Sequence, residues 1–123
     1  RTAMILAVLE RRGGVVLAPH DVFAATVGGV KLQEPAVDLA VALAIASAAT
    51  DRLLLPGLVA MGEVGLSGEL RPIAGVERRL AEAHRLGFTK AIIPSGALPQ
   101  VPTGLQVLQA SDISTAIRAA SSA

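Results

Sequence analysis

The chain has 123 residues, no cysteine and a formal net charge of +1. That length fits one domain around one core. The missing thiols exclude disulfides and thiolate metal sites, and the small charge excludes nucleic-acid binding driven by overall charge rather than by a local basic cluster. Apolar residues make up 52%, but Phe23 and Phe88 are the only aromatics, so the core must be aliphatic. The longest apolar run, residues 35–49, is too short to span a bilayer. No secretory leader is visible. The chain starts on Arg1, and is read as a segment of a longer cytoplasmic protein.

In chain order, residues 2–12 predict a helix. Thr2 is placed to cap it, charges gather at its end and Gly13-Gly14 stop it. Residues 15–18 are expected as a short strand or extended piece, residues 22–27 as a strand, and residues 30–32 as a brief extended piece after the Gly28-Gly29 turn. A second helix is predicted over residues 36–49, opened by Glu34-Pro35. Its apolar residues form no single stripe, which predicts burial on several sides or a subunit interface. Asp38 is its one charge, in the first turn where the helix dipole favours it.

Residues 61–86, MGEVGLSGELRPIAGVERRLAEAHRL, are the most legible unit. Two apolar runs about Gly65-Leu66-Ser67-Gly68 predict a β-hairpin. Val76, Leu80, Ala83 and Leu86 then recur at helical spacing between charged residues. Residues 90–93 predict a strand closed by Pro94, residues 95–104 an irregular loop, and residues 105–108 a short strand. A last helix, residues 112–120, is expected to be capped by Ser111, with Ile113, Ala116, Ile117 and Ala120 facing inward and a fraying Ser/Ala tail. Helices interleaved with short strands predict a single two-layer α/β (α+β) domain with a mixed sheet over residues 1–123.

The segment Gly62-Glu63-Val64-Gly65-Leu66-Ser67-Gly68-Glu69-Leu70-Arg71-Pro72-Ile73-Ala74-Gly75, with the helix and strand that follow it through Pro94, resembles the proteolytic domain of Lon proteases. Asp21-Val22-Phe23, Gly28-Gly29, the run from Glu34 to Ala40 and Gly75-Val76-Glu77-Arg78-Arg79-Leu80 look in particular like the Lon-like C-terminal domain of the RadA (Sms) family of bacterial DNA repair proteins. The resemblance implies a ribosomal-protein-S5-domain-2-like fold.

Lon-type proteases use a serine nucleophile and a lysine base, whose amine must give up its proton near neutral pH. The position matching the serine is Ala36 and the position matching the lysine is Glu77. A methyl cannot attack a carbonyl, and a carboxylate is a poor replacement for the lysine. Only Lys31 and Lys90, His20 and His84 are available for a relocated site. His84 reads as a surface residue, and Ser67 as a turn residue. Gly65 to Gly68 does not end in the Gly-Lys-Ser/Thr of a phosphate loop. The expectation is therefore that this domain is not itself an enzyme.

What the resemblance implies instead is a homo-hexameric ring that takes part in binding DNA, single-stranded or branched, during recombination, with a RecA-type recombinase as a candidate partner. ATP, Mg and Zn are expected in the ATPase and zinc-binding parts that precede such a domain, and no cofactor in this segment. Arg1, Arg11 and Lys31 are the candidate DNA contacts, on the first helix and the Gly28-Gly29 turn. A ring repeats each charge around its rim, so one Arg per subunit builds a basic belt despite near-zero net charge. No aromatic platform accompanies them, so contacts should be to phosphates and independent of sequence. Two alternatives stay open: a Lon-type peptidase with a relocated Ser/Lys pair, and a passive protein-interaction scaffold.

Overall fold

The computed structural model describes residues 2–14, 34–96 and 99–121. The strands expected at 15–18, 22–27 and 30–32 lie outside the described residues, as do Arg1, Lys31 and the last two residues of the Ser/Ala tail.

Helix α1 is Thr2–Arg11. Pro35–Val37 form one 3-10 turn that leads straight into α2, Asp38–Thr50. The expected single helix from Ala36 thus has a tighter first turn, for which proline's fixed φ at the first helical position is suited. Strands β1 (Leu58–Ala60), β2 (Glu63–Val64) and β3 (Leu70–Arg71) precede α3, Val76–Arg85. Strands β4 (Lys90–Pro94) and β5 (Gln106–Ala110) and helix α4 (Ile113–Ala120) complete the order.

Among the described residues, β1, β4 and β5 form a parallel sheet in the order β1-β4-β5, and β2 and β3 form a separate antiparallel pair. The predicted hairpin exists, with Glu63 opposite Arg71 and Val64 opposite Leu70. It is shorter than the apolar pattern implied, because the run before it leaves to pair with β4, Val59 opposite Ala91. Pro94 closes β4, as expected. It is the last residue in register, opposite Ala110, and β5 reaches two residues beyond its predicted end at Leu108.

The sheet carries apolar side chains on both faces. Ile92 joins the cluster built from α1, α2 and α4, including Leu9, Leu39 and Ile113. Ala91 and Ile93, its neighbours in β4, join Leu80 of α3 on the other face. That alternation is the strand's period of two at work. It makes helices flank both faces of the parallel sheet, where the sequence pattern predicted two layers. Parallel strands buried on both sides explain it, since each face needs its own cover. Fully buried leucines such as Leu9, Leu39 and Leu80 contribute roughly 2 kcal/mol each by area removed from water.

Helix α2 is apolar on every side in sequence, but buries one stripe: Leu39, Ala42, Leu43 and Ala46. Ala40, Ala44 and Ala48 are exposed. In α3 the charged face is exposed as expected and Leu80 and Ala83 are buried. Leu86, expected on the inner face, is 61% exposed just past the helix end. Helix α4 is capped by Asp112, whose Oδ1 accepts the Thr115 N–H at 2.8 Å. The expected cap, Ser111, instead offers its carbonyl to the Leu70 N–H at 2.9 Å, tying α4 to the hairpin.

Candidate functional site

Ala36 sits in the 3-10 turn, buried. Its carbonyl accepts the Gly62 N–H at 2.9 Å, and the Gly62 carbonyl accepts the Leu39 N–H at 3.0 Å. This double link needs a close backbone approach. A Cβ on Gly62 would stand 3.2 Å from Pro94 Cγ and 3.6 Å from Leu39 Cβ, tight enough that its neighbours would have to give. The start of α2 is thereby pinned to the segment joining β1 to β2.

Ala36 lines a hollow of about 510 Å³ between the start of α2, β1 and α3. Val37, Ala40 and Met61 line it beside Ala36, and Arg78 and Arg79 reach it from α3. Glu77 turns elsewhere. Its Oε1 accepts the Gln100 N–H at 3.1 Å, and it lines a second hollow of about 380 Å³ with Ala81, Val101 and Pro102. The structure thus brings Ala36 together with Arg78 and Arg79, and sets Glu77 against the loop before β5.

Among the other candidates, His84 and Ser67 are exposed. The Ser67 N–H donates to Glu69 Oε1 at 3.1 Å within the hairpin turn. Lys90 is half-buried in β4, in register with Leu58 and Gln106. No serine among the described residues is hydrogen-bonded to it. Among the described residues no three His, Asp or Glu side chains gather as a metal ligand set, so no metal is assigned here. No helix among them is long and apolar enough to cross a membrane.

The basic residues divide by partner. Arg71 pairs with Glu69 at 3.2 Å and reaches Glu63 at 3.9 Å. Arg79 pairs with Glu34 and donates from Nε to the Ala74 carbonyl at 3.0 Å. Arg85 pairs with Glu82. Two carboxyls feel this directly. The hydrogen bond from Arg85 holds Glu82 below the usual carboxylate range. Glu69 is held low by its own backbone N–H, then by Arg71 and the Ser67 N–H, against the opposing effect of desolvation. Arg11 and Arg12, exposed at the end of α1, and Arg78, exposed on α3, carry no ion pair among the described residues. Of the three candidate DNA contacts, Arg11 is therefore placed as an open cation, and Arg1 and Lys31 lie outside the described residues.

Sequence reasoning missed two features. Asp38, read only as a charge that the helix dipole favours, is 1% exposed, and its Oδ2 accepts the Val64 N–H at 3.1 Å. Arg78 was not distinguishable from its neighbours. Its isolation follows from Glu34, 45 residues before Arg79 in sequence, taking Arg79, and no spacing rule carries that.

The relatives agree closely over this chain. DNA repair protein RadA of Mycolicibacterium smegmatis is 48% identical over 118 residues, 96% of this chain and 25% of that protein. RadA of Escherichia coli is 45% identical over 95% of this chain and 26% of that protein. RadA of Streptococcus pyogenes serotype M6 is 42% identical over 97% and 27%. The chain thus spans about a quarter of the length of the curated relatives it matches. A family model described as subunit ChlI of Mg-chelatase matches residues 24–97. That match overturns the expectation that the domain is not an enzyme. The family is described as a subunit of an enzyme, Mg-chelatase, so the exclusion of enzyme function does not stand. A degenerate dyad speaks only to peptide hydrolysis, and the expectation extended it to all chemistry. The chain belongs to the family described as subunit ChlI of Mg-chelatase.

Proposed function

We propose that this chain is the Lon-like domain of a DNA repair protein, with a ribosomal-protein-S5-domain-2-like fold, and that it serves ring assembly and sequence-independent DNA contact within an ATPase-related enzyme. The observation that carries this is identity of 41–48% to proteins named DNA repair protein RadA, running across nearly the whole chain. Ala36 and Glu77 at the two dyad positions support a scaffold put to a use other than peptide cleavage. In this reading the chain is one domain of a longer cytoplasmic protein. ATP, Mg and Zn are handled by its other parts, and the domain's partners are its own copies in a homo-hexamer, single-stranded or branched DNA, and a RecA-type recombinase.

The chemistry of DNA contact rests on open cations. Arg11 projects from the last turn of α1 with no carboxylate among the described residues to neutralise it. A guanidinium so placed binds a phosphate oxygen by charge-assisted hydrogen bonds and releases counterions. Repetition around a ring multiplies each such contact. Arg1 and Lys31 complete the proposed set.

The test is DNA binding by the assembled protein, titrated with salt. Removing one phosphate-binding cation should lower the slope of log K against log salt by about one. Arg11→Ala and Lys31→Ala should each do so, and weaken binding equally on unrelated sequences. An unchanged slope removes those residues from the account. Sedimentation should show hexamers, and a monomer at tens of micromolar counts against the ring.

A further inference from the structure

The hollow beside Ala36 has a composition that phosphate contact does not explain. Its floor is apolar, from Ala36, Val37, Ala40, Met61 and Phe88, and its open rim carries Leu86 and Arg78. Leu86 is 61% exposed, a large apolar side chain left in water at the mouth of an apolar hollow. At about 510 Å³ the space is of the size that takes a ligand or one or two large side chains.

Charge decides what kind of occupant fits. Two further ionised groups line the hollow, Arg79 and Glu82, and each is neutralised. Arg79 pairs with Glu34, and Glu82 pairs with Arg85. What remains is the single positive charge of Arg78, which is exposed and carries no ion pair among the described residues. It also lines a smaller adjoining hollow, of about 240 Å³, with Ala74 and Gly75. A guanidinium set between two hollows suits a carboxylate next to an apolar group. Nucleic acid fits poorly. Among the described residues the floor has no side-chain donors or basic groups for phosphates, and the only aromatic lining it is the half-buried Phe88.

We propose that this hollow docks a partner protein through a short acidic–apolar segment, one large aliphatic side chain entering over Met61 and Phe88 and an adjacent carboxylate pairing with Arg78. This site is separate from the DNA contacts at Arg11, so either can fail without the other.

The test uses fluorescence anisotropy with the full chain and three labelled octapeptides. One places a leucine beside two aspartates in a Gly/Ser frame, the second replaces the aspartates with lysines, and the third replaces the leucine with serine. The first should bind, and the others should bind at least about tenfold more weakly, a difference of one decade in Kd. Arg78→Glu should weaken the first peptide about tenfold and improve the lysine peptide. Ala40→Trp, which fills the hollow from an exposed helix position, should abolish binding of the first while circular dichroism stays unchanged. Equal binding of all three peptides, no binding of the first at millimolar concentration, or binding untouched by both variants overturns the proposal. So does self-association of the chain that Ala40→Trp abolishes, since the occupant is then a second copy.

Discussion

The carboxylate of Asp38 accepts the backbone N–H of Val64 at 3.1 Å, across 26 residues of sequence. It ties the first turn of α2 to the first strand of the hairpin, and at 1% exposure it does so away from water. Together with the Gly62 links to Ala36 and Leu39, it fixes the wall of the hollow beside Ala36. Asp38→Ala should destabilise the fold by about 1–3 kcal/mol, because it removes a buried acceptor and leaves the Val64 N–H without this partner. Asp38→Asn keeps an acceptor oxygen and should lose less. Urea denaturation of the three proteins checks the ranking, and equal midpoints for wild type and Asp38→Ala would refute it.

Gly68 closes the hairpin turn at a φ of +81°, and a Cβ there would fall 2.7 Å from Arg12 Cβ and 3.4 Å from Ile113 Cγ2. Two costs coincide: left-handed backbone, and a clash with the end of α1. Its carbonyl also accepts the Ile113 N–H at 2.8 Å, so α1, the hairpin and α4 meet at this residue. Gly68→Ala should destabilise by at least about 1–2 kcal/mol from the backbone alone. Thermal denaturation should show a clear fall in Tm. On the proposed contact of Arg11 with DNA, affinity should fall with it, since Arg12 is its neighbour.

How much of this was legible in the sequence depends on the range of the interaction concerned. Helix α3 was readable because its spacing of Val76, Leu80 and Ala83 is local, as was the turn about Gly65 to Gly68. The partner of β1 was not, since pairing Leu58 with Lys90 is decided by a crossover through α3. For α2, periodicity says which residues are apolar, but not that the stripe through Leu39 and Leu43 would be the one fully buried. Ser111 and Asp112 are both good caps, and only the extended backbone of Asp112, with φ −147° and ψ 169°, decides between them. At the site, Ala36 and Glu77 were singled out only by their place in a motif, and the structure puts them on different hollows. The open charge of Arg78 was not legible, because it is what remains after distant carboxylates have paired.

Asp112 makes the stability of α4 depend on pH. Its carboxylate accepts the Thr115 N–H, and that bond, then the Thr115 hydroxyl and the charge of Arg118, hold its pKa below the ordinary 3.8. The folded state therefore binds the proton less readily than the unfolded chain. The stabilisation is fully present above the unfolded pKa near 3.8 and is lost as pH falls through the lower folded value. Asp112→Ala should cost about 1 kcal/mol at neutral pH and nothing further in acid. Asp112→Asn should keep most of the cap and lose its pH dependence. Urea midpoints measured from pH 7 down through the acid limb, at roughly half-unit steps, check this, and parallel curves for wild type and Asp112→Asn would refute it.

Glu77 holds the loop before β5. Its Oε1 is the acceptor for the Gln100 N–H at 3.1 Å, and the chain runs on from there through Val101 and Pro102 into β5. Both ends of this link are exposed, so its removal should barely move global stability. It should act locally instead. Glu77→Ala takes away the acceptor, and the Gln100 amide should then exchange with solvent several-fold faster, because opening that segment no longer breaks a hydrogen bond. Glu77→Gln retains an oxygen and should exchange at close to the wild-type rate. Amides of β4, held in the sheet by β1 and β5 on either side, should be unaffected in all three proteins. Hydrogen exchange read by NMR separates these cases. An unchanged Gln100 rate in Glu77→Ala would mean that the Glu77 carboxylate has no hold on the loop.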